Sequence, residues 1–378
     1  MSAKRTTILQ IIPELDTGGA EISTIEIAGG IVAAGGRAIV LSEGGRLAPR
    51  LAEVGAELML FPAATKNPVK LFANARSIAR LVNSEGVHLL HARSRAPAWS
   101  ALLASRRAGV PFVATYHGAY AETNALKRAY NSVMVRGDAV IANSEYTGRL
   151  IRERYGVGGD RLIVIHRGVD PSRFDPAKIT PERIAALRAR FDVEADQPVI
   201  VNAARLTGWK GQSVLIAAAG ELLKSGRLGR AVIVLAGDAQ GRDGYRERLE
   251  TDIAALGLRE HVRLAGHVED IPAAFALAHL CVIASTEAEA FGRTATEAQA
   301  MGVPVIATAI GAPPETVLAG APDMRTGWHV PPGDAPALAA AIGEALALSS
   351  EARRAMGARG IARVRAHFTL DRMRLDTL

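Results

Sequence analysis

The sequence predicts two doubly wound α/β domains in tandem, each on a parallel sheet, and three observations carry this expectation. The 378 residues exceed what one hydrophobic core comfortably serves. Short β-branched runs alternate with longer stretches of helical period, the mark of parallel βαβ units. The alternation breaks at Gly168 to Pro176, whose prolines and turn formers continue neither a strand nor a helix.

In the first half the strands are expected at Ile8–Ile12, Ala38–Ser42, Glu57–Leu60, His88–His91, Phe112–Thr115, Ala139–Ala142 and Leu162–Ile165. After a helix from about Pro181 to Phe191, strands resume at Val199–Ala203, Ala231–Ala236, Val262–Leu264, Leu280–Ile283 and Val303–Ala307. Ala231 to Ala236 is apolar throughout, as a strand buried on both faces should be. The expected domains are residues 1–172 and 173–365, with 366–378 a C-terminal helix returning towards the first.

Composition narrows the function classes. Nearly half the residues are apolar and 22% are charged, which is ordinary globular composition. Lys4 and Arg5 precede the apolar stretch Ile8 to Pro13, but Glu14 and Asp16 cut it short, so it reads as a first strand and not as an export signal. No apolar run reaches the ~18 residues that span a bilayer. The expected location is cytoplasmic, with peripheral attachment to the inner face of the cell membrane. The one cysteine, Cys281, lies in an apolar run and reads as a buried thiol, and it allows neither a disulfide nor a cysteine metal site within the chain. The net charge of +7 is uneven: residues 1–172 hold 21 Lys and Arg against 14 Asp and Glu, leaving 24 of each for the remainder. A basic first half suits an anionic partner such as a membrane surface or a phosphorylated acceptor, and equally a solvated arginine-rich surface. The basic residues are dispersed and aromatics amount to 4%, which speaks against nucleic acid.

Ligands of doubly wound sheets sit at the carboxyl ends of strands, so polar residues just after strands are the candidates for chemistry. Asp16 to Glu21 follows the first strand, and the bare amides of Gly18 and Gly19 allow close approach of an anion or sugar; a paired glycine is as often a simple turn. Arg205 and Lys210 follow Ala203 and offer two fixed cations to a diphosphate without metal, unless they are solvated surface charges. After Ile283 comes a loop with Glu289, then a helix start near Thr294 with Glu297 one turn in. Both carboxylates suit sugar or ribose hydroxyl pairs, and the amides of Gly292 to Thr294 favour a phosphate. Glu297 would also serve as an ordinary helix-start charge. His117, before Gly118, ends a strand in the first half, where a structural and a functional histidine are equally expected.

Taken together, these segments resemble the retaining glycosyltransferase family four, the group 1 glycosyl transferases, nearly end to end. The family's Glu, seven residues, Glu is met by Glu289 and Glu297, and Arg205 to Gly211, Gly18-Gly19, His117-Gly118, Ala142 to Ser144 and Gly168 to Asp170 occur in the family's order. The resemblance implies the GT-B fold, two Rossmann-like domains facing across a cleft, and transfer of a hexose from a UDP- or GDP-sugar with retention. It implies a glycan or lipid-linked acceptor, in lipopolysaccharide or other cell-envelope polysaccharide synthesis. It implies that Glu289 holds donor-sugar hydroxyls and Glu297 the ribose, and that Arg205 and Lys210 bind the diphosphate. Gly266, His267 and Val268 would receive the base, His117 would contact the donor sugar, and Phe291 to Thr294, with Arg293 as a third cation, would line the phosphates. No cofactor or metal is expected. A nucleotide-sugar epimerase of the same fold, or a non-catalytic two-lobed sugar-binding protein, are the alternatives.

Overall fold

The computed structural model describes residues 5–120 and 122–378; Lys4 lies outside them. The chain divides into two units, one of residues 5–168 with Leu370–Leu378, the other Val169–Thr369.

In the first unit β1 (Thr7–Ile11), β2 (Arg37–Ser42), β3 (Glu57–Leu60), β4 (Leu89–Ala92), β5 (Phe112–Tyr116), β6 (Ala139–Ala142) and β7 (Leu162–Val164) form a parallel sheet in the order β3-β2-β1-β4-β5-β6-β7. In the second, β8 (Val199–Ala203), β9 (Val232–Ala236), β10 (Val262–Gly266), β11 (Leu280–Ile283), β12 (Val305–Thr308) and β13 (Gly327–Val330) do the same in the order β10-β9-β8-β11-β12-β13. Each sheet is covered on both faces, which is why its central strands are apolar at every position: Val232 to Leu235 are fully buried, alternately in one core and the other. The order in which strands are added reverses between β1 and β4 in the first sheet and between β8 and β11 in the second. In each sheet, taken by itself, the switch point opens a crevice at the carboxyl ends of its own strands.

Helix starts follow local capping chemistry. Asn67 accepts from the amides of Val69 and Lys70 ahead of Pro68, and Thr180 accepts from Arg183 ahead of Pro181, so each proline sits where an amide hydrogen would be unused anyway.

The boundaries differ slightly from those expected. The first division lies after Gly168 instead of 172, because Val169 donates to the Phe368 carbonyl at 2.7 Å and Val169 and Phe174 are buried in the second unit's core. The second lies after Thr369 instead of 365, because the helix Ser350–His367 stays with the second unit through Met356 and Val364. The helix Leu370–Thr377 then packs on the helix Gly19–Ala33 of the first unit. Arg374 Nε donates to the Glu26 carbonyl at 3.0 Å, and its stem crosses Gly30 so closely that a Cβ there would lie 2.9 Å from Arg374 Cγ. Strand β13 is absent from the sequence expectation, since its four residues stand between turn-forming segments and include a glycine.

Candidate active site

The second unit's switch point gathers most of the expected residues. After β8 the chain passes Arg205 and makes a tight turn at Gly208–Lys210 before the helix Gln212–Lys224. Gly211 ends that turn at φ +69°, and a Cβ there would lie 1.8 Å from the Ala284 carbonyl oxygen, so only glycine lets this loop close on the end of β11. Thr286 N donates to the Trp209 carbonyl at 2.8 Å, joining the two loops.

The loop after β11 carries Glu289. A bridge to Gly311 and the bond from Ala312 N to the Glu289 carbonyl, 2.9 Å, fix its backbone against the loop after β12. Lys210 Nζ donates to Glu289 Oε1 at 2.8 Å, with the two side chains 16% and 9% exposed. Ser285 Oγ donates to the same oxygen, and Lys210 Nζ also lies 4.2 Å from the centre of the Trp209 ring. Glu289 Oε1 thus anchors the lysine, while Oε2 makes no hydrogen bond among the described residues. Gly292, at φ +80°, leaves room there, since a Cβ on it would come to 3.6 Å from Oε2. A carboxylate with one oxygen committed and one open is suited to hold a hydroxyl beside a fixed ammonium.

Gly292 caps the helix Arg293–Ala300. Thr294 Oγ1 donates to the Ala203 carbonyl at 3.1 Å, which ties the helix start to the end of β8. Arg293 Nε pairs with Glu297 Oε1 at 3.3 Å, one turn on. Phe291 is buried, edge-on to Phe368 with ring centres 6.0 Å apart, so it shapes the loop from inside the core. Burial pushes the Cys281 thiol up, and the charges of Glu297 and then Glu289 push it further. The thiol is fully buried and protonated, as expected. Arg205 is exposed, with Nη1 3.4 Å from Gln240 Oε1, and its backbone is held by Gln212 Nε2 on its carbonyl at 3.0 Å. Gly266 ends β10 at φ +65°, His267 is exposed, and Val268 is buried in the core, so Val268 contributes to this loop through its backbone.

In the first unit Gly18, at φ +142°, precedes the helix that Gly19 begins. His117 follows β5, with Arg167 Nη2 donating to its Nδ1 and Nε2 buried without a hydrogen-bond partner. Burial, then Arg167, Arg93 and His91, hold its pKa well below 6.5, so the ring is neutral at physiological pH. Two arginines that the sequence reading passed over stand beside it. Arg93, directly after β4, is 2% exposed, and Arg167, after β7, is 4% exposed. The strand-end rule that singled out His117 applied equally to both. Among the described residues no group of three or more His, Cys, Asp or Glu side chains is placed to hold a metal ion.

A lysine paired with a carboxylate beside a helix start, at the switch point of a doubly wound sheet, is an arrangement able to hold an anion next to a hydroxyl. The family of group 1 glycosyl transferases matches residues 184–363, and glycosyltransferase family four matches residues 17–173. A GDP-mannose-dependent alpha-(1-6)-phosphatidylinositol monomannoside mannosyltransferase of Mycolicibacterium smegmatis is 32% identical over 79% of this chain and 75% of its own length. Other curated relatives are D-inositol 3-phosphate glycosyltransferases, of whose length the chain spans 49% to 64%. Among solved structures, a glycosyltransferase from Rickettsia africae is 34% identical with a TM-score of 0.89, covering 99% of this chain and 97% of that one. Anabaena HepE in complex with UDP-glucose is 25% identical with a TM-score of 0.84, covering 98% of both. The chain belongs to glycosyltransferase family four and has the GT-B fold.

Proposed function

We propose that this glycosyltransferase moves a hexose from a UDP- or GDP-sugar to a glycan or lipid-linked acceptor, with retention and without metal. The observation that carries this reading is the Lys210–Glu289 pair at the β8/β11 switch point. Lys210, Arg205 and the amides at the start of the Arg293–Ala300 helix supply positive charge where a departing diphosphate gains negative charge, while Glu289 Oε2 takes a donor-sugar hydroxyl and Glu297 the ribose. The acceptor oxygen bonds to the anomeric carbon on the face from which the diphosphate leaves. The carbon–phosphate-oxygen bond breaks, and the acceptor proton passes to the leaving phosphate. In this reading the base rests against Gly266 to Val268, and His117, Gly18 and Gly19 are the proposed further contacts of the donor. The GDP-mannose dependence and UDP-glucose complex of the relatives support both nucleotides as candidates.

The acceptor side points to cell-envelope glycan synthesis, including lipopolysaccharide, at an anionic membrane face. No helix among the described residues is long and apolar enough to cross a membrane. On the helix Pro68–Glu85, however, Val69 and Phe72 are 77% and 58% exposed, and the same helix carries Arg76 and Arg80, which share a surface hollow with Arg107. Apolar and basic side chains on one helix are the chemistry of peripheral attachment to anionic lipid.

The test is release of free nucleoside diphosphate from a panel of UDP- and GDP-sugars with acceptors, repeated with excess chelator. Turnover that survives chelation supports the reading. Silence across the panel defeats transfer and favours a sugar-binding protein, and isomerised donor without diphosphate release would indicate an epimerase. Co-sedimentation with anionic liposomes at low salt, lost at high salt, tests the membrane face.

A further inference from the structure

Arg93 stands at the β1/β4 switch point of the first unit, the place where a doubly wound sheet receives ligands. It is among the largest fully buried side chains of the molecule. Its hydrogen bonds go to a neutral group: Nε donates to Gln10 Oε1 at 3.0 Å, and Nη2 donates to the same oxygen. The Gln10 amide cannot turn away, because its Nε2 donates to the Thr24 carbonyl at 3.1 Å. Three of the five guanidinium hydrogens have no hydrogen-bond acceptor among the described residues. The carboxylate that acts on Arg93 is that of Glu26, and through the field alone.

His117 beside it adds a donor that is itself buried and unpartnered. Its Nδ1 accepts from Arg167, so Nε2 carries the ring proton, and that donor is buried with no acceptor. A buried charge and a buried donor left without acceptors are both costly, and they persist where a ligand completes them.

We propose that Arg93, together with His117 Nε2–H, receives an anionic substituent of a sugar substrate, a carboxylate or a phosphate, and sets a preference for acidic over neutral sugars. This rests on the glycosyltransferase reading and deepens it. Gln10 is the positioning residue that aims the guanidinium. The shared chemistry has two sources, the carboxylate of a uronic acid donor and the phosphate of a phosphorylated acceptor.

The experiment compares neutral and acidic partners on the full chain: UDP-glucose with UDP-glucuronate and GDP-mannose with GDP-mannuronate as donors, glucose with glucose 6-phosphate as acceptors. Both turnover and thermal stabilisation are read. The wild type is expected to prefer the acidic member of the donor or the acceptor pairs by about tenfold or more, the usual worth of a charge-assisted bond, and the pair that responds identifies the source. Arg93→Gln should abolish the preference while still turning over the neutral member, and Arg93→Lys, which keeps charge but loses the fork, should retain part of it. A wild type indifferent to charge in every pair overturns the proposal, as does unchanged discrimination in Arg93→Gln, or in Arg93→Lys should the glutamine variant not fold. A wild type that binds donors without transfer defeats the transfer reading alone, and the stabilisation readout then decides for Arg93.

Discussion

In the second unit the half-buried cation Lys210 faces a carboxylate, whereas in the first the buried Arg93 faces an amide. Both follow strands at a switch point of a parallel sheet. The lysine is balanced within the protein, so its ammonium is fixed before any ligand arrives, and its partner retains one open oxygen. The arginine is held by geometry without being neutralised by a bonded acid. Fixed, balanced charge suits a group that must stabilise a transition state without reorganising, and unbalanced buried charge suits a group whose counter-ion arrives with the substrate.

The largest effect should come from disturbing the loop that carries the balanced pair. Gly211→Ala drives a Cβ into the Ala284 carbonyl at a positive φ, and should cost about 3 kcal/mol or more, seen as a calorimetric transition of the second unit moving down while that of the first stays in place. Lys210→Met comes next. Turnover should fall about a hundredfold, and stability should drop as well, by about 1–3 kcal/mol, because Glu289 is left as a nearly buried carboxylate. Arg93→Met is the contrasting variant: it leaves the buried Gln10 Oε1 without its donors, at a cost of about 1–3 kcal/mol, but removes a buried charge that no bonded acid balances, so the net loss in urea titration should be smaller than that of Lys210→Met. An Arg93→Met loss as large as that of Lys210→Met would erase the contrast between the units. Glu289→Gln should impair sugar transfer while nucleoside diphosphate binding, by calorimetry, persists.

A separate effect is a pH dependence that falls on both units, carried in the first by His117 and in the second partly by His279. His279 Nδ1 accepts from Val199 N at 3.2 Å, and burial, then Arg353 and Arg188, lower its pKa from 6.5 to about 4. The unfolded chain therefore takes up a proton first as pH falls, so this histidine's share of stability, present above pH 6.5, declines between 6.5 and 4 and then levels. His279→Asn should flatten that slope in melts recorded across the range.

Most of the second unit's site was legible because its residues follow strands in a recognisable order. The partnership of Glu289 was not, since Lys210 is 79 positions away and no local rule pairs them. Glu289 holds the lysine, a role its local sequence does not display. Arg93 was missed for another cause: a single arginine after a strand reads as a solvated charge, and burial is a tertiary property. The strands themselves were readable from apolar runs, apart from β13, whose four residues are too few to show a period.

The last helix, Leu370–Thr377, completes the first unit although roughly 200 residues of the second precede it. During synthesis at about 5–20 residues per second, the helix Gly19–Ala33 waits ten seconds or longer for its cover. The domain translated first is therefore the one finished last, since its cover is made only after every strand of the second.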